Sequence, residues 1–288
     1  MRYLEKLRRA QESNRSWLCL GLDPQPELLP VDALKWDEPL LPFNRAIIDA
    51  TADLVCAYKP NLGFYLQWGA AGVIALERTI AYIPDHIPVI LDAKIGDIGH
   101  TQAAWGRGLF DVWNVDAVTV NPYVGAEAVR PLLAGRPDKA VYVLARTSNP
   151  GAQRFQGDLT GGGGLAADVL RAASEWATSD DGHCGFVVGA TYPAELAAAR
   201  SLAPTASFLI PGIGAQGGDL AAAVGHGQTV AHGQTVGHGQ TGGQAPDAVG
   251  PVINAGRSVL YASAGVDFAQ AARTAALALR DAINDLRD

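Results

Sequence analysis

Val89-Ile90-Leu91-Asp92-Ala93-Lys94-Ile95-Gly96-Asp97-Ile98 is an apolar run that ends in an acid, a base and a second acid around a glycine. Consecutive β-branched and large apolar residues read as a strand buried on both faces, as in a parallel sheet. A strand sends residues i and i+2 to one face, so Asp92 and Lys94 are expected side by side where the apolar stretch stops. Burying an ionised carboxylate or ammonium is costly unless it is paired, which gives this charged set a chemical rather than a packing rationale. A plain salt bridge at a strand end is the competing reading of these residues alone.

Working outward, the same kind of run recurs at Trp17 to Leu22, Ala117 to Val120, Ala140 to Leu144, Phe186 to Val188, Phe208 to Ile210 and Val252 to Ile253, with the short Tyr58-Lys59-Pro60 segment as a further strand. Between the runs lie segments of helical spacing: Phe43 to Ala57, Gly69 to Ala81, Thr101 to Phe110, Leu165 to Ala177, Ala194 to Leu202 and Phe268 to Leu286. About eight strand–helix units in 288 residues match an α/β protein of the (β/α)8 TIM-barrel class, one domain over residues 1–288. An open doubly wound sheet is the alternative, but no G-x-G-x-x-G follows the first strand.

With 48% hydrophobic residues the chain can bury a large core, and its formal charge of −7 argues against nucleic acid or an anionic membrane surface as partner, because both call for a basic face. Met1 to Trp17 is charged and polar with no signal-like apolar run, and no later stretch is long and apolar enough to span a bilayer, so a cytoplasmic protein is expected. Cys19, Cys56 and Cys184 are an odd number without C-x-x-C spacing and read as buried free thiols.

Polar and glycine residues gather just after the strands, where a barrel builds its active site. They are Asp23, Lys59, Asp92 with Lys94, Asn121-Pro122, Arg146-Thr147-Ser148-Asn149, Gly189-Ala190-Thr191, Pro211 to Gln216 and Asn254-Ala255-Gly256-Arg257-Ser258. The Gly-rich turns after the last two strands can offer backbone N–H groups to an anion, and Arg257 a two-pronged contact; tight turning alone is the plainer account of the glycines. One segment stands apart: a hexapeptide repeated three times over 225–242, with His226, His232 and His238 evenly spaced. Its glycine content and polarity favour a loosely ordered insertion over a metal site, in an αβ loop at the end of the barrel opposite the rim.

The residues from about Trp17 to Ala264 resemble the orotidine 5′-phosphate decarboxylase family in its longer bacterial form. The resemblance rests on Leu91 to Ile98 with Thr101, on Tyr58-Lys59-Pro60-Asn61, on Arg146 to Gly151, on Pro211 to Gly218 and on Asn254 to Ser258, in that family's order along the barrel. Ile95 departs from it, at a position where that group carries a basic residue. The resemblance implies a homodimer that converts orotidine 5′-phosphate to UMP and CO2 without metal or organic cofactor. It implies that Lys94 protonates pyrimidine C6 and that Asp92 lies against the substrate carboxylate. Asp97 and Thr101 would reach into the neighbouring subunit's site, and Lys59 would complete a Lys-Asp-Lys-Asp array. Asp23 and Lys59 would hold ribose hydroxyls, Ser148 would read the pyrimidine edge, Gln216 would bridge base and phosphate, and Gly256 with Arg257 would bind phosphate.

The chemistry is coherent with the residues. Losing CO2 from a ring carbon without an electron sink leaves negative charge there, which a preorganised ammonium stabilises as it develops. Two other functions remain open at this stage: a metal-dependent sugar-phosphate lyase using the Asp cluster, and a phosphoribosyl-ligand sensor, which would have no need of Lys94 between two carboxylates.

Overall fold

The computed structural model describes residues 1–157, 159, 163–178, 180–213, 217–229 and 249–287. Eight parallel strands form one sheet: β1 (Leu18–Leu22), β2 (Ala57–Pro60), β3 (Ile90–Ile95), β4 (Ala117–Val120), β5 (Ala140–Arg146), β6 (His183–Val188), β7 (Phe208–Pro211) and β8 (Val252–Ala255). The helices are α1 (Tyr3–Ser13), α2 (Leu40–Thr51), α3 (Leu62–Leu66), α4 (Gly69–Tyr82), α5 (Gly99–Gly106), α6 (Arg130–Leu133), α7 (Ala152–Gln156), α8 (Gly164–Ala173), α9 (Pro193–Leu202), α10 (Leu220–Gly227), α11 (Arg257–Leu260) and α12 (Phe268–Arg287). The expected barrel is therefore present, with its strands alternating with helices. α5 continues into a wider helical turn over Arg107–Val112.

The strand order is β2-β1-β8-β7-β6-β5-β4-β3. Between the two outer strands of this order only single bridges, Tyr58 with Val89 and Asn61 with Asp92, bring the ring almost to closure. Alternation divides the strand residues into two sets. Leu20, Leu22, Val118, Val143, Phe186, Phe208 and Ile253 face the helices as part of the large outer core. Cys19, Ala57, Ile90, Ala117, Tyr142, Val187, Leu209 and Val252 fill the barrel interior. Small residues on several strands leave room for Tyr142, as a closed barrel of this size requires.

The charged N-terminus proves to be a helix. In α1, Tyr3, Leu7, Ala10 and Gln11 are buried at helical spacing, and Tyr3 and Leu7 join the interior cluster and plug the barrel floor. Full burial of such side chains contributes on the order of 2 kcal/mol each. The Tyr3 hydroxyl meets that of Tyr142 at 3.0 Å, and the His183 ring stacks on Tyr3 while its Nε2 meets Ser207 Oγ at 2.7 Å.

The hexapeptide repeat begins on a helix rather than in a loop: Gly225, His226 and Gly227 form the last turn of α10, where Arg200 donates to the His226 and Gly227 carbonyls. His232, His238 and the rest of the repeat lie outside the described residues. The chain on either side of that stretch comes together, with the Val249 N–H donating to Thr229 Oγ1 at 3.1 Å, and Gly250 binds Gln11 of α1. Its anchors thus sit beside the floor of the barrel, at the end away from the rim.

Candidate functional site

Asp92 is the hub of the site. Its Oδ1 accepts from Lys94 Nζ at 2.6 Å and from Thr119 Oγ1 at 2.9 Å, while Oδ2 accepts from Lys59 Nζ at 3.0 Å and from Asn61 Nδ2 at 3.3 Å. Four donors on one carboxylate, from β2, β3, β4 and the turn after β2, fix its plane. The side chain of Lys59 is only 5% exposed, whereas that of Lys94 is 49% exposed and stands toward the opening.

Sequence alternation places Asp92 and Lys94 on one face, and they are in contact, but a regular pleat is not what brings them there. Leu91 pairs with Val118 and Ile95 with Val120, so β3 carries two more residues than β4 over the same span. The bulge holds Asp92, Ala93 and Lys94. Lys94 takes φ +47°, a left-handed conformation unfavourable for a residue with a side chain, and its N–H donates to Thr119 Oγ1 at 2.9 Å instead of to the ladder. Strain of this kind persists where surrounding bonds over-determine it, and it aims the ammonium across the carboxylate.

The electrostatics follow from burial and pairing. Burial alone would raise the Asp92 carboxyl, but Lys59 and Lys94 outweigh it and hold the group well below the usual carboxylate range. Burial alone would lower the Lys59 ammonium, yet Asp23 and Asp92 more than offset that and keep it above its ordinary value. Asp23, just past β1, behaves differently: burial lifts its carboxyl, and Lys59 opposes the lift without cancelling it. Its Oδ1 is buried without a hydrogen-bond partner, over a floor stripped of side chain by Gly21 and Gly256.

Asp23, Lys59, Asp92 and Lys94 are thus gathered at one mouth of the barrel. Asp97 and Thr101 are not part of that cluster. The Asp97 N–H donates to the buried Gln102 Oε1 and its Oδ1 accepts from Ile98 N; it forms no ion pair among the described residues, and Thr101 is exposed on α5. Gly256 caps α11, and Arg257, exposed in its first position, has no ion pair among the described residues. Gln216 lies outside the described residues. Ser148 follows β5 and packs on Gly189, whose hydrogen faces it where a Cβ would come within 3.1 Å.

The loop that carries Ser148 is held by a buried cation. Arg146, 1% exposed, pairs with Glu195 of α9 through both carboxylate oxygens, donates to the Thr147 carbonyl at 3.1 Å and to Gln153 Oε1 at 3.0 Å. Gln156 completes the clasp, accepting from the Thr147 N–H and donating to Thr147 Oγ1, both at 2.9 Å. Sequence reasoning placed Arg146 on the rim without this role. It also passed over Asn61 and Thr119 as partners of Asp92. The lone hydroxyl within the apolar run Ala117-Val118-Thr119-Val120 was the available signal for the second.

Cys19 and Cys56 are buried free thiols, and Cys184 is half-buried. No helix among the described residues is long and apolar enough to cross a membrane. A separate cleft of about 140 Å³, bordered by Arg8, Arg15, Trp17 and Arg287, lies beside α1 and shares no residue with the charged array.

Comparison with known proteins agrees with this geometry. Residues 16–275 match the model of the orotidine 5′-phosphate decarboxylase / HUMPS family. An orotidine 5′-phosphate decarboxylase of Thermomicrobium roseum is 47% identical over 290 residues, covering 100% of this chain and 96% of that protein. One from Herpetosiphon aurantiacus is 46% identical over 282 residues, with 96% of each covered. Among solved structures, a putative orotidine-monophosphate decarboxylase of Toxoplasma gondii superposes with a TM-score of 0.84 at 33% identity, over 99% of this chain and 97% of that one. By fold, by sequence over its whole length and by the family model, this chain belongs to the orotidine 5′-phosphate decarboxylase / HUMPS family.

Proposed function

We propose that this chain converts orotidine 5′-phosphate to UMP and CO2, the last step of de novo pyrimidine nucleotide synthesis, as a cytoplasmic homodimer built from one barrel domain per subunit. The observation that carries the chemistry is Lys94: an ammonium fixed 2.6 Å from Asp92 by a strained bulge, yet half open to the mouth. In the reaction the C6–carboxylate bond breaks, its electron pair stays on C6, and an N–H of Lys94 delivers the proton there as CO2 departs. Solvent then restores the ammonium. Asp92 sits where the substrate carboxylate arrives, held ionised by its two lysines, so it disfavours the bound carboxylate more than the neutral departing CO2. No electron sink is called for, because the preorganised cation meets the charge as it forms, and neither metal nor organic cofactor enters the scheme.

Asp23 and Lys59 take the ribose hydroxyls in this reading, Ser148 the pyrimidine edge, Gln216 a bridge between base and phosphate, and Gly256 with Arg257 the phosphate. The four donors already on Asp92 leave its oxygens poorly placed to ligate a cation, which disfavours a metal-dependent lyase at this site. The dimer reading draws on Asp97, whose carboxylate makes no ion pair among the described residues, on the exposed Thr101, and on Ile98, Trp105, Tyr123 and Val124, exposed apolar side chains on α5 and the loops after β3 and β4. The net charge of −7 supports neither nucleic acid nor membrane as partner.

The deciding assay follows the loss of orotate-ring ultraviolet absorbance when orotidine 5′-phosphate is added in EDTA. Wild type turns over undiminished, and Lys94→Ala loses measurable activity while keeping its circular dichroism. A strict requirement for Mg²⁺, or near wild-type turnover by the variant, refutes the scheme.

A further inference from the structure

Asp92, Ala93 and Lys94 of β3 all lie opposite a single residue of β4, because Leu91 pairs with Val118 and Ile95 with Val120. That residue is Thr119, 1% exposed, to which the scheme above gives no role. Val118 and Val120 on either side of it belong to the outer core and Ala117 fills the interior, so alternation turns Thr119 inward, onto the face of the charged array. A hydroxyl buried there is unfavourable unless it is bonded.

Thr119 Oγ1 makes two bonds, and both go to the residues that carry the reaction. It accepts from the Lys94 N–H at 2.9 Å and donates to Asp92 Oδ1 at 2.9 Å. Chemistry fixes their polarity: a backbone N–H can only donate, and a carboxylate held ionised by two lysines can only accept. The one hydroxyl proton therefore points at Asp92, and a lone pair at Lys94. Lys94 stands at φ +47°, strained for a residue with a side chain, and the hydroxyl takes its N–H in place of a ladder carbonyl. On Asp92, Oδ2 is held by Lys59 and Asn61, whereas Oδ1 has Thr119 and the 49% exposed side chain of Lys94. Thr119 is thus the stiffer partner of that oxygen, since β-branching restricts its χ1 and keeps the hydroxyl in one direction.

We infer that Thr119 is a positioning residue for the decarboxylation: its hydroxyl holds the Lys94 backbone in the bulge and turns the Asp92 carboxylate, so that ammonium and carboxylate keep the placement that proton transfer requires. The inference rests on the decarboxylase reading above. Thr119 does not touch the nucleotide in this assignment, so its hydroxyl contributes to kcat and little to binding. An interaction that matters only in the transition state lowers kcat and kcat/KM together and leaves ligand affinity alone.

The test compares Thr119→Val, which keeps the shape and removes the hydroxyl, with Thr119→Ser, which keeps the hydroxyl. On orotidine 5′-phosphate, Thr119→Val should lower kcat and kcat/KM by the same factor, about ten- to a hundred-fold, the scale set by a displacement of about 1 Å at a reacting group. Thr119→Ser keeps both bonds but not the stiff χ1, and should stay within about three-fold of wild type. Calorimetry with UMP should give one site per chain and a Kd within about two-fold of wild type for both variants, which a general loss of structure would not. Thr119→Ala is measured beside them, so that its comparison with Thr119→Ser decides the matter should Thr119→Val not fold. Turnover by Thr119→Val within about two-fold of wild type, Thr119→Ser as slow as Thr119→Val, or UMP affinity falling in step with kcat each overturns the positioning role and leaves the decarboxylase reading standing. Wild type inactive on orotidine 5′-phosphate removes that reading, and this one with it.

Discussion

Replacing Lys59 by Met tests whether the charged array is a dry, mutually dependent set or a solvated surface cluster. At 3.0 Å and an effective dielectric of ~20, the Lys59–Asp92 attraction is roughly 5 kcal/mol. Removing the ammonium also removes its own desolvation penalty, and Asp92 keeps Lys94 at 2.6 Å, so the net loss is smaller than that attraction. Asp23 fares worse, because Lys59 is the strongest influence opposing its burial and its Oδ1 has no other partner. We expect Lys59→Met to destabilise the fold by ~3 kcal/mol, the lower end of what breaking a buried pair costs. Urea denaturation at pH 7, run as a double-mutant cycle with Asp92→Asn, should give a coupling of ~2 kcal/mol. The pH dependence adds a second reading. A carboxyl whose folded pKa lies above its unfolded one contributes stability below the unfolded value and loses it as pH rises through the folded one. Without Lys59 the Asp23 carboxyl rises further, so the variant should recover part of its deficit as pH falls from 7 toward 5. A single-variant cost below ~1 kcal/mol with coupling near zero would show an array screened by water and would refute the reasoning.

Mixing Lys94→Ala with Asp97→Ala, each inactive alone, should restore about a quarter of wild-type sites once subunits exchange, since half the dimers are heterodimers by random pairing and one of their two sites is intact; no recovery after proven exchange assigns Asp97 to its own chain. Arg257→Ala should cut kcat/KM for orotidine 5′-phosphate by roughly one to two powers of ten, ~1.5–3 kcal/mol, and leave the slow turnover of unphosphorylated orotidine unchanged; equal losses on both would move Arg257 away from the phosphate. Burial pushes His183 down to about 4, so the unfolded chain takes up a proton near pH 6.5 that the native ring refuses. Stability should therefore decline by up to ~2 kcal/mol between pH 7 and pH 5, and His183→Gln should flatten that slope in thermal melts at the two pH values.

The strands were legible because each is a short apolar run buried on both faces, and the rim because polar residues end those runs at a consistent place. Asp92 and Lys94 could be read as neighbours from spacing alone, whereas the bulge could not, since nothing in Asp92-Ala93-Lys94 announces a left-handed lysine. Such a conformation is held from outside the segment by Thr119 of β4, whose hydroxyl accepts from the Lys94 N–H. α1 was hidden by its charges: Tyr3, Leu7 and Ala10 make a narrow apolar stripe that acquires meaning only under a barrel floor. The clasp of Arg146 on Glu195 joins residues 49 apart, a pairing that tertiary structure creates and local pattern does not hold. Asn254 was visible as a rim polar residue, but its lack of a partner is a property of the packed interior.

Seven of the eight neighbouring strand pairs around the ring are joined by backbone ladders, and the eighth, β2 against β3, by isolated bridges. Across that seam the ion pair of Lys59 with Asp92 does the work of the missing rungs. A hoop fastened in this way breathes first at its fastening, and local opening draws on the least protected part of a structure. Amides flanking the seam should accordingly exchange with solvent ahead of those in β5 and β6. The motion is placed where it is useful: widening between β2 and β3 parts the two lysines about Asp92, giving a charged carboxylate a way in and neutral CO2 a way out, while the remaining ladders keep the rest of the barrel still.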